Sequence, residues 1–145
     1  MILIADGGST KVDWVLINQQ QKTKIRTEGI NPSVITQEEI IFKVKKSTSL
    51  ISVKNKVSKI YFYGAGCGSK KAIDNLKTSL NIIFTKATVK VDEDTLGAAY
   101  ASSGNKPAIV AILGTGSNSC YFDGKKITQN HVSLGYTIMD EASGN

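Results

Sequence analysis

The chain is short of the residues that build cross-linked or metal-bound scaffolds. Among its 145 residues are two cysteines, one histidine and two prolines. Cys67 and Cys120 have no metal-ligand spacing and no histidine close by, which favours buried free thiols over a disulfide or a metal site. His131 stands alone in a polar stretch and is given no role. No apolar run approaches the roughly 20 residues of a membrane-spanning helix. The start of the chain reads directly as a strand, without the basic segment and apolar stretch of a signal peptide. The expectation is a cytoplasmic protein with no membrane partner. Low-complexity tracts are missing too, and 41% of the residues are apolar, enough for a folded domain with a real core.

Acidic residues are scarce in the middle of the chain. The net charge is +6, and between Lys43 and Lys90 the only acid is Asp74. A nucleic-acid interface could use such an excess. Here, however, the lysines are dispersed, arginine is rare and aromatics are not interleaved with the basic residues. A solvated basic face with no nucleic-acid partner is the better reading. A Walker A loop is also missing, because Gly-x-x-x-x-Gly-Lys-Ser/Thr occurs nowhere.

What the chain does have is a pair of glycine–hydroxyl turns. The first is Asp6-Gly7-Gly8-Ser9-Thr10-Lys11 and the second Leu113-Gly114-Thr115-Gly116-Ser117-Asn118. Each lies between two apolar runs, so each reads as strand, tight turn, strand. Glycine lets a backbone approach a ligand closely and turn its N–H groups toward it. Serine and threonine add hydroxyls, and Lys11 adds a cation. Such turns suit phosphate oxygens, and two facing each other could clamp a triphosphate. A Gly-Gly-Ser turn also serves as a plain hairpin, and these residues leave both readings open.

Three strands are expected first, at 1–6, 12–18 and 22–28. A helix over 36–51 follows, with Thr36 and Glu39 as a capping box and Ile40, Val44 and Ile51 as its apolar stripe, flanked by Ile41 and Leu50. A strand over 57–63 runs into Gly64-Ala65-Gly66-Cys67-Gly68. A helix after Ser69 carries Ile73, Leu76 and Leu80 on one face. A strand at 87–91 and a short helix at 95–102 precede a linker at 103–107. Strands resume at 108–113, 119–122 and 126–129, with a turn at Asp123-Gly124. The order is βββαβαβα followed by a second βββ start. That is an α/β fold whose mixed sheet is covered by helices, then the opening strands of a second, incomplete copy. The expected division is 1–105 and 106–145.

This duplicated plan resembles the superfamily of sugar kinases, actin and heat-shock chaperones, in which two ribonuclease-H-like lobes close on ATP. Within it the chain is similar to the N-acetylglucosamine kinase-like branch of the family that also contains activator ATPases of acyl-CoA dehydratases. The likeness rests on five segments in family order: 4–14 (Ile-Ala-Asp-Gly-Gly-Ser-Thr-Lys-Val-Asp-Trp), 63–67 (Tyr-Gly-Ala-Gly-Cys), 94–99 (Asp-Thr-Leu-Gly-Ala-Ala), 112–119 (Ile-Leu-Gly-Thr-Gly-Ser-Asn-Ser) and 134–144. It covers the first half of a typical member. The resemblance implies ATP and Mg²⁺ as cofactors and an amino sugar as substrate. Asp6 would orient the Mg²⁺ hydration shell. Gly8, Ser9, Thr10 and Lys11 would form one phosphate loop, and Gly114, Thr115, Gly116 and Ser117 the other. Asp94 matches the catalytic aspartate that takes the proton of the sugar hydroxyl. Asn31 and Asp140 match positions that hold sugar hydroxyls, and Gly64 to Gly66 would line the cleft.

The pattern departs from the family at Met139-Asp140-Glu141-Ala142, where glycines usually flank the acidic pair. Any positive φ there would strain Met139 or Ala142. On residue types alone, Asp94 also suits an ordinary helix N-cap, and Asn31 and Asp140 ordinary turns. Trp14 reads as core. Three functions stay in view: a sugar kinase represented by its N-terminal portion, a non-catalytic sugar- or phosphate-binding module that associates through uncovered strands, and a dehydratase-activating ATPase. The last needs paired cysteine ligands for an iron–sulfur cluster, and Cys67 and Cys120 are poorly placed for that.

Overall fold

The computed structural model describes residues 1–113 and 117–128. The chain divides into two compact units, Met1–Asp94 and Thr95–Asn145.

In the first unit β1 (Ile2–Gly7), β2 (Lys11–Asn18) and β3 (Gln21–Glu28) form an antiparallel meander. Helices α1 (Gln37–Lys45) and α2 (Thr48–Val53) follow, then β4 (Lys59–Gly64), α3 (Lys70–Ile83) and β5 (Thr88–Glu93). The five-stranded sheet has the order β3-β2-β1-β4-β5, with β1, β4 and β5 parallel. Strand side chains alternate between faces. Leu3 and Ala5, Val12, Trp14 and Leu16, Ile60 and Phe62, and Val89 and Val91 therefore share one face, and all are buried. Ile40, Val44 and Leu50 from α1 and α2, with Leu76, Leu80 and Ile83 from α3, join them in one cluster. Each such side chain contributes about 1.5–3 kcal/mol relative to an exposed position. Trp14 meets Phe62 edge to face at 5.5 Å, and its indole N–H donates to Thr27 Oγ1 at 2.9 Å.

The helix expected over 36–51 is two helices. The capping box is present: Thr36 Oγ1 accepts from the Glu39 amide, and the Glu39 carboxylate accepts from the Thr36 amide. The break comes at Ser47, whose backbone is extended (φ −82°, ψ 101°) and whose side chain accepts from the Leu50 amide. Serine competes for backbone hydrogen bonds in this way and so favours a new helix start. The apolar stripe continues across the break, because Val44 and Leu50 both reach the core.

The second unit repeats the opening. Helix α4 (Asp94–Ser103), which begins with the last residue of the first unit, leads to β6 (Ala108–Leu113), β7 (Ser117–Phe122) and β8 (Ile127–Thr128) in a three-stranded antiparallel sheet. β7 begins two residues earlier than the sequence suggests. One face of this sheet, with Val110, Cys120 and Phe122, packs on Ala99 of α4. Phe122 meets Tyr100 edge to face at 5.5 Å. The other face carries Ile109, Leu113 and Tyr121, which are 84%, 72% and 49% exposed.

Candidate phosphate and sugar site

The parallel strands β1, β4 and β5 end side by side, with Asp6-Gly7 beside Tyr63-Gly64 and Tyr63-Gly64 beside Asp92-Glu93. In open α/β sheets ligands bind beyond the carboxyl ends of the strands. Three segments meet at this edge: the turn 8–10 between β1 and β2, the segment 29–33 after β3, and the loop 64–68 after β4.

The turn is held by its backbone. Gly8 N–H donates to Lys11 C=O at 2.8 Å, Gly29 N–H to Thr10 C=O at 3.0 Å, and Ile30 N–H to Gly8 C=O at 3.1 Å. Gly29 has to be glycine because a Cβ there would lie 1.9 Å from the Ser9 carbonyl oxygen. Behind it, Lys43 Nζ of α1 donates to the Gly29 carbonyl at 2.7 Å. The Gly8 amide is thus used within the hairpin. The Ser9 and Thr10 amides make no hydrogen bond among the described residues, and both residues are exposed. Two unpaired amides with adjacent hydroxyls form an arrangement suited to anions.

Asn31 lies against this turn. Its Nδ2 donates to Ser9 Oγ at 3.3 Å, and its Oδ1 accepts from the Ser33 amide at 3.1 Å and the Ser33 hydroxyl at 2.6 Å. Gly66 completes the meeting point. It adopts φ +79°, and a Cβ on it would lie 2.0 Å from Asn31 Oδ1. A side chain at Gly66 would therefore be strained by conformation and by contact together.

A row of polar and charged residues crosses the sheet on the face opposite the core. Arg26, Asp13, Asp6, Tyr63 and Asp92 are in register on successive strands. Asp6 is exposed. Asp13 pairs with Arg26 at 2.6 Å and with Lys11 at 3.4 Å. The Arg26 hydrogen bond, helped by Lys11, holds the Asp13 carboxyl below its ordinary range. Asp92 is raised, mainly by burial. Asp94 opens α4, where the helix N-terminus favours a negative charge. Cys67 in the neighbouring loop is pushed up to about 12 by burial and by the charges of Asp94, Glu93 and Asp92, so these carboxylates act on the 64–68 loop.

The structure thus brings Gly8, Ser9, Thr10, Lys11, Asn31 and Gly66 into one constellation, with Asp6 at the end of β1 beside it. Asp94 follows β5, two strands from β1. Ser117 starts β7 opposite Leu113, at the end of the second hairpin. Gly114, Thr115, Gly116 and Asp140 lie outside the described residues. Sequence reasoning missed Asp13, and the signal for it was present: Lys11 and Asp13 are two apart on a strand, hence on one face. It also missed Asp92, which stands in register with Tyr63 and Asp6.

The fit to the expected ligands is good on chemical grounds. The Ser9 and Thr10 amides, the two hydroxyls and Lys11 suit phosphate oxygens, and the exposed Asp6 carboxylate suits the water shell of a divalent cation. No iron–sulfur ligand is suggested by Cys67, which is buried and held in its thiol form.

No protein-family model and no curated protein matches the chain. Solved structures do. A Porphyromonas gingivalis protein provisionally assigned as an N-acetylglucosamine kinase is 41% identical, with a TM-score of 0.90 over 99% of this chain and 52% of that one. A Chromobacterium violaceum protein with the same provisional assignment is 16% identical, with a TM-score of 0.68 over 99% of this chain and 52% of that one. The ROK hexokinase of Thermus thermophilus is 11% identical, with a TM-score of 0.51 over 88% of this chain and 48% of that one. The chain spans about half the length of each. The two more distant likenesses show the fold alone, that of sugar kinases and actin-like ATPases.

Proposed function

We propose that this chain, which belongs to the N-acetylglucosamine kinase-like family and corresponds to the N-terminal half of its members, supplies the sugar side and both phosphate turns of an ATP-dependent amino-sugar kinase. The observation that carries this reading is the meeting of Ser9, Asn31 and Gly66 in a chain 41% identical to a protein provisionally assigned that activity.

Phosphoryl transfer depends on positioning and on neutralising charge more than on covalent help, and Mg²⁺ with ATP supplies the phosphoryl group and part of that neutralisation. The chain's own residues divide the remaining work. The Ser9 and Thr10 amides and hydroxyls receive phosphate oxygens, and Lys11 adds positive charge, oriented by Asp13. Asp6 faces the water shell of the cation. Asn31 contacts the sugar. Asp94 accepts the proton of the attacking sugar hydroxyl, which requires a carboxylate within hydrogen-bond reach. In this reading Gly114, Thr115, Gly116 and Ser117 serve as the second phosphate turn, and Asp140 contributes a second sugar contact. The domain plan in this reading is a complete lobe over 1–105 and the opening of a second over 106–145. The chain by itself is expected not to turn over, since the likeness reaches only about half of each kinase-like structure.

The test is ADP release by a two-lobed form of the protein, with N-acetylglucosamine and glucose compared. Sugar-dependent release abolished by Asp94→Asn is the expected result. Turnover left intact in that variant would overturn the assignment of Asp94.

A second reading has its own support in Ile109, Leu113 and Tyr121, which leave one face of β6–β7 apolar and exposed. A non-catalytic module would use that face to associate with another copy or another protein. It predicts concentration-dependent association and no turnover with any sugar in any form.

A further inference from the structure

The Asn31 side chain can be read atom by atom, because one of its partners is a backbone amide. The Ser33 N–H can only donate, so the atom facing it at 3.1 Å is Oδ1, and the NH2 end faces Ser9. This fixes the amide orientation from chemistry. Oδ1 has two lone pairs, and the Ser33 amide and hydroxyl take both. The Asn31 amide therefore has no accepting capacity left. Its Nδ2 has two hydrogens, one of which is directed at Ser9 Oγ.

Ser9 Oγ consequently accepts from Asn31, and its own hydrogen remains to be donated elsewhere. We infer that Asn31 is a positioning residue for the phosphate turn: braced by Ser33, it holds the Ser9 hydroxyl as a donor toward an incoming phosphate oxygen. The direction of the relay is Ser33 to Asn31 to Ser9 to phosphate, with every link an N–H or O–H donating forward. The inference rests on the proposed phosphate-binding role of the turn and adds a residue that acts on phosphate through another. It also constrains the sugar contact. Asn31 can offer a ligand its second N–H and cannot accept from a ligand hydroxyl while Ser33 is in place. Turning the amide over would set its NH2 group against the Ser33 N–H, donor against donor.

The test is a double-mutant cycle read by calorimetric titration with the magnesium complex of a non-hydrolysable ATP analogue. Circular dichroism of each variant establishes that it is folded. Ser9→Ala should weaken binding about tenfold, the scale of one hydrogen bond to a charged group. Asn31→Ala should weaken it several-fold when Ser9 is present and leave it unchanged in the Ser9→Ala background. Ser9→Thr, which keeps the hydroxyl, should restore most of the affinity and the sensitivity to Asn31. Asn31→Asp should weaken binding most, because a carboxylate accepts from the Ser9 hydroxyl and reverses the relay, and the loss should diminish as acid protonates that carboxyl. Additive losses from Ser9→Ala and Asn31→Ala would overturn the inference alone. A wild-type chain that binds no analogue at millimolar concentration would overturn the phosphate reading of the turn and this inference with it.

Discussion

Met1–Asp94 and Thr95–Asn145 contain the same opening motif in different surroundings. Both have two antiparallel strands joined across three residues, 8–10 in one and 114–116 in the other, followed by a third antiparallel strand. In the first unit two further strands, β4 and β5, extend the sheet past β1, and three helices cover one face with a core of nineteen buried apolar residues from Leu3 to Val91. In the second, the described sheet stops at three strands, and its core cluster holds Ala99, Val110, Cys120 and Phe122. Ile109 and Leu113, exposed at the second and last positions of β6, stand where β1 has Leu3 and Gly7, which are buried. A hairpin of this type does not make a core by itself; the strands and helices added after it do.

The largest effect should come from the two aromatic pairs. Phe62→Ala should destabilise the first unit by about 3–5 kcal/mol, since Phe62 is fully buried against Trp14. Phe122→Ala removes the same ring from a smaller cluster and should act at the low end of that range. Hydrogen exchange followed strand by strand is the measurement. Protection should fall in β1–β5 for the first variant and in β6–β8 for the second; loss everywhere in both would show that the units unfold as one.

Next in size is Gly29→Ala. The new Cβ meets the Ser9 backbone, which cannot give way as a side-chain tip would. A cost of about 1–3 kcal/mol is expected, as for overpacking elsewhere, together with lost binding at the turn. Gly104→Ala is the matched control in the second unit. Its φ is +61° and nothing lies within 4 Å of the added Cβ, so only the conformational term of about 1–2 kcal/mol remains. Equal effects on denaturation midpoint and on binding in both variants would remove the special status of Gly29.

Ile109→Lys combined with Leu113→Lys should leave stability within about 0.5 kcal/mol per site, as surface changes usually do. Sedimentation at rising concentration should then show the variant staying monomeric where the parent associates. An unchanged association would place the contact on another face.

The smallest effect is a pH dependence. Asp92 has a raised folded-state pKa, so the native state holds its proton more tightly than the unfolded chain does. Stability therefore falls as pH rises from the ordinary carboxylate value of 3.8 through the raised one. Asp92→Asn should have the higher Tm at neutral pH, and the difference should vanish in strong acid. Asp13 works in the opposite direction. Its pKa is lowered by Arg26 and Lys11, so its contribution stands above 3.8 and is lost as pH falls through the lowered value. Asp13→Asn should lower the Tm at neutral pH and not in strong acid.

Much of the first unit was readable because its signals are local. The alternation in β1 and β2, the Thr36–Glu39 box and the stripe on α3 each lie within one element. The break at Ser47 was hidden because Val44 and Ile51 are seven residues apart, a spacing that one continuous helix or two aligned ones satisfy equally. Ser47 with Leu50 three positions on was the available sign of a new N-cap. The candidate site was legible in its residue types and illegible in its contacts. Ser9 and Asn31 are 22 residues apart, and Gly29 and Lys43 are 14 apart. Gly29 has to be glycine because of the Ser9 and Thr10 backbone, some 20 residues earlier in the chain. No periodicity reports a contact of that kind.

The measurement that bears most directly on the kinase reading is a calorimetric titration of this chain with N-acetylglucosamine, with glucose and the Asp94→Asn variant as controls. Selective binding of the amino sugar, lost in Asp94→Asn, is the expected result and would place sugar recognition within these residues. Binding that is absent, or present but indifferent to both the sugar and Asp94, would contradict the account.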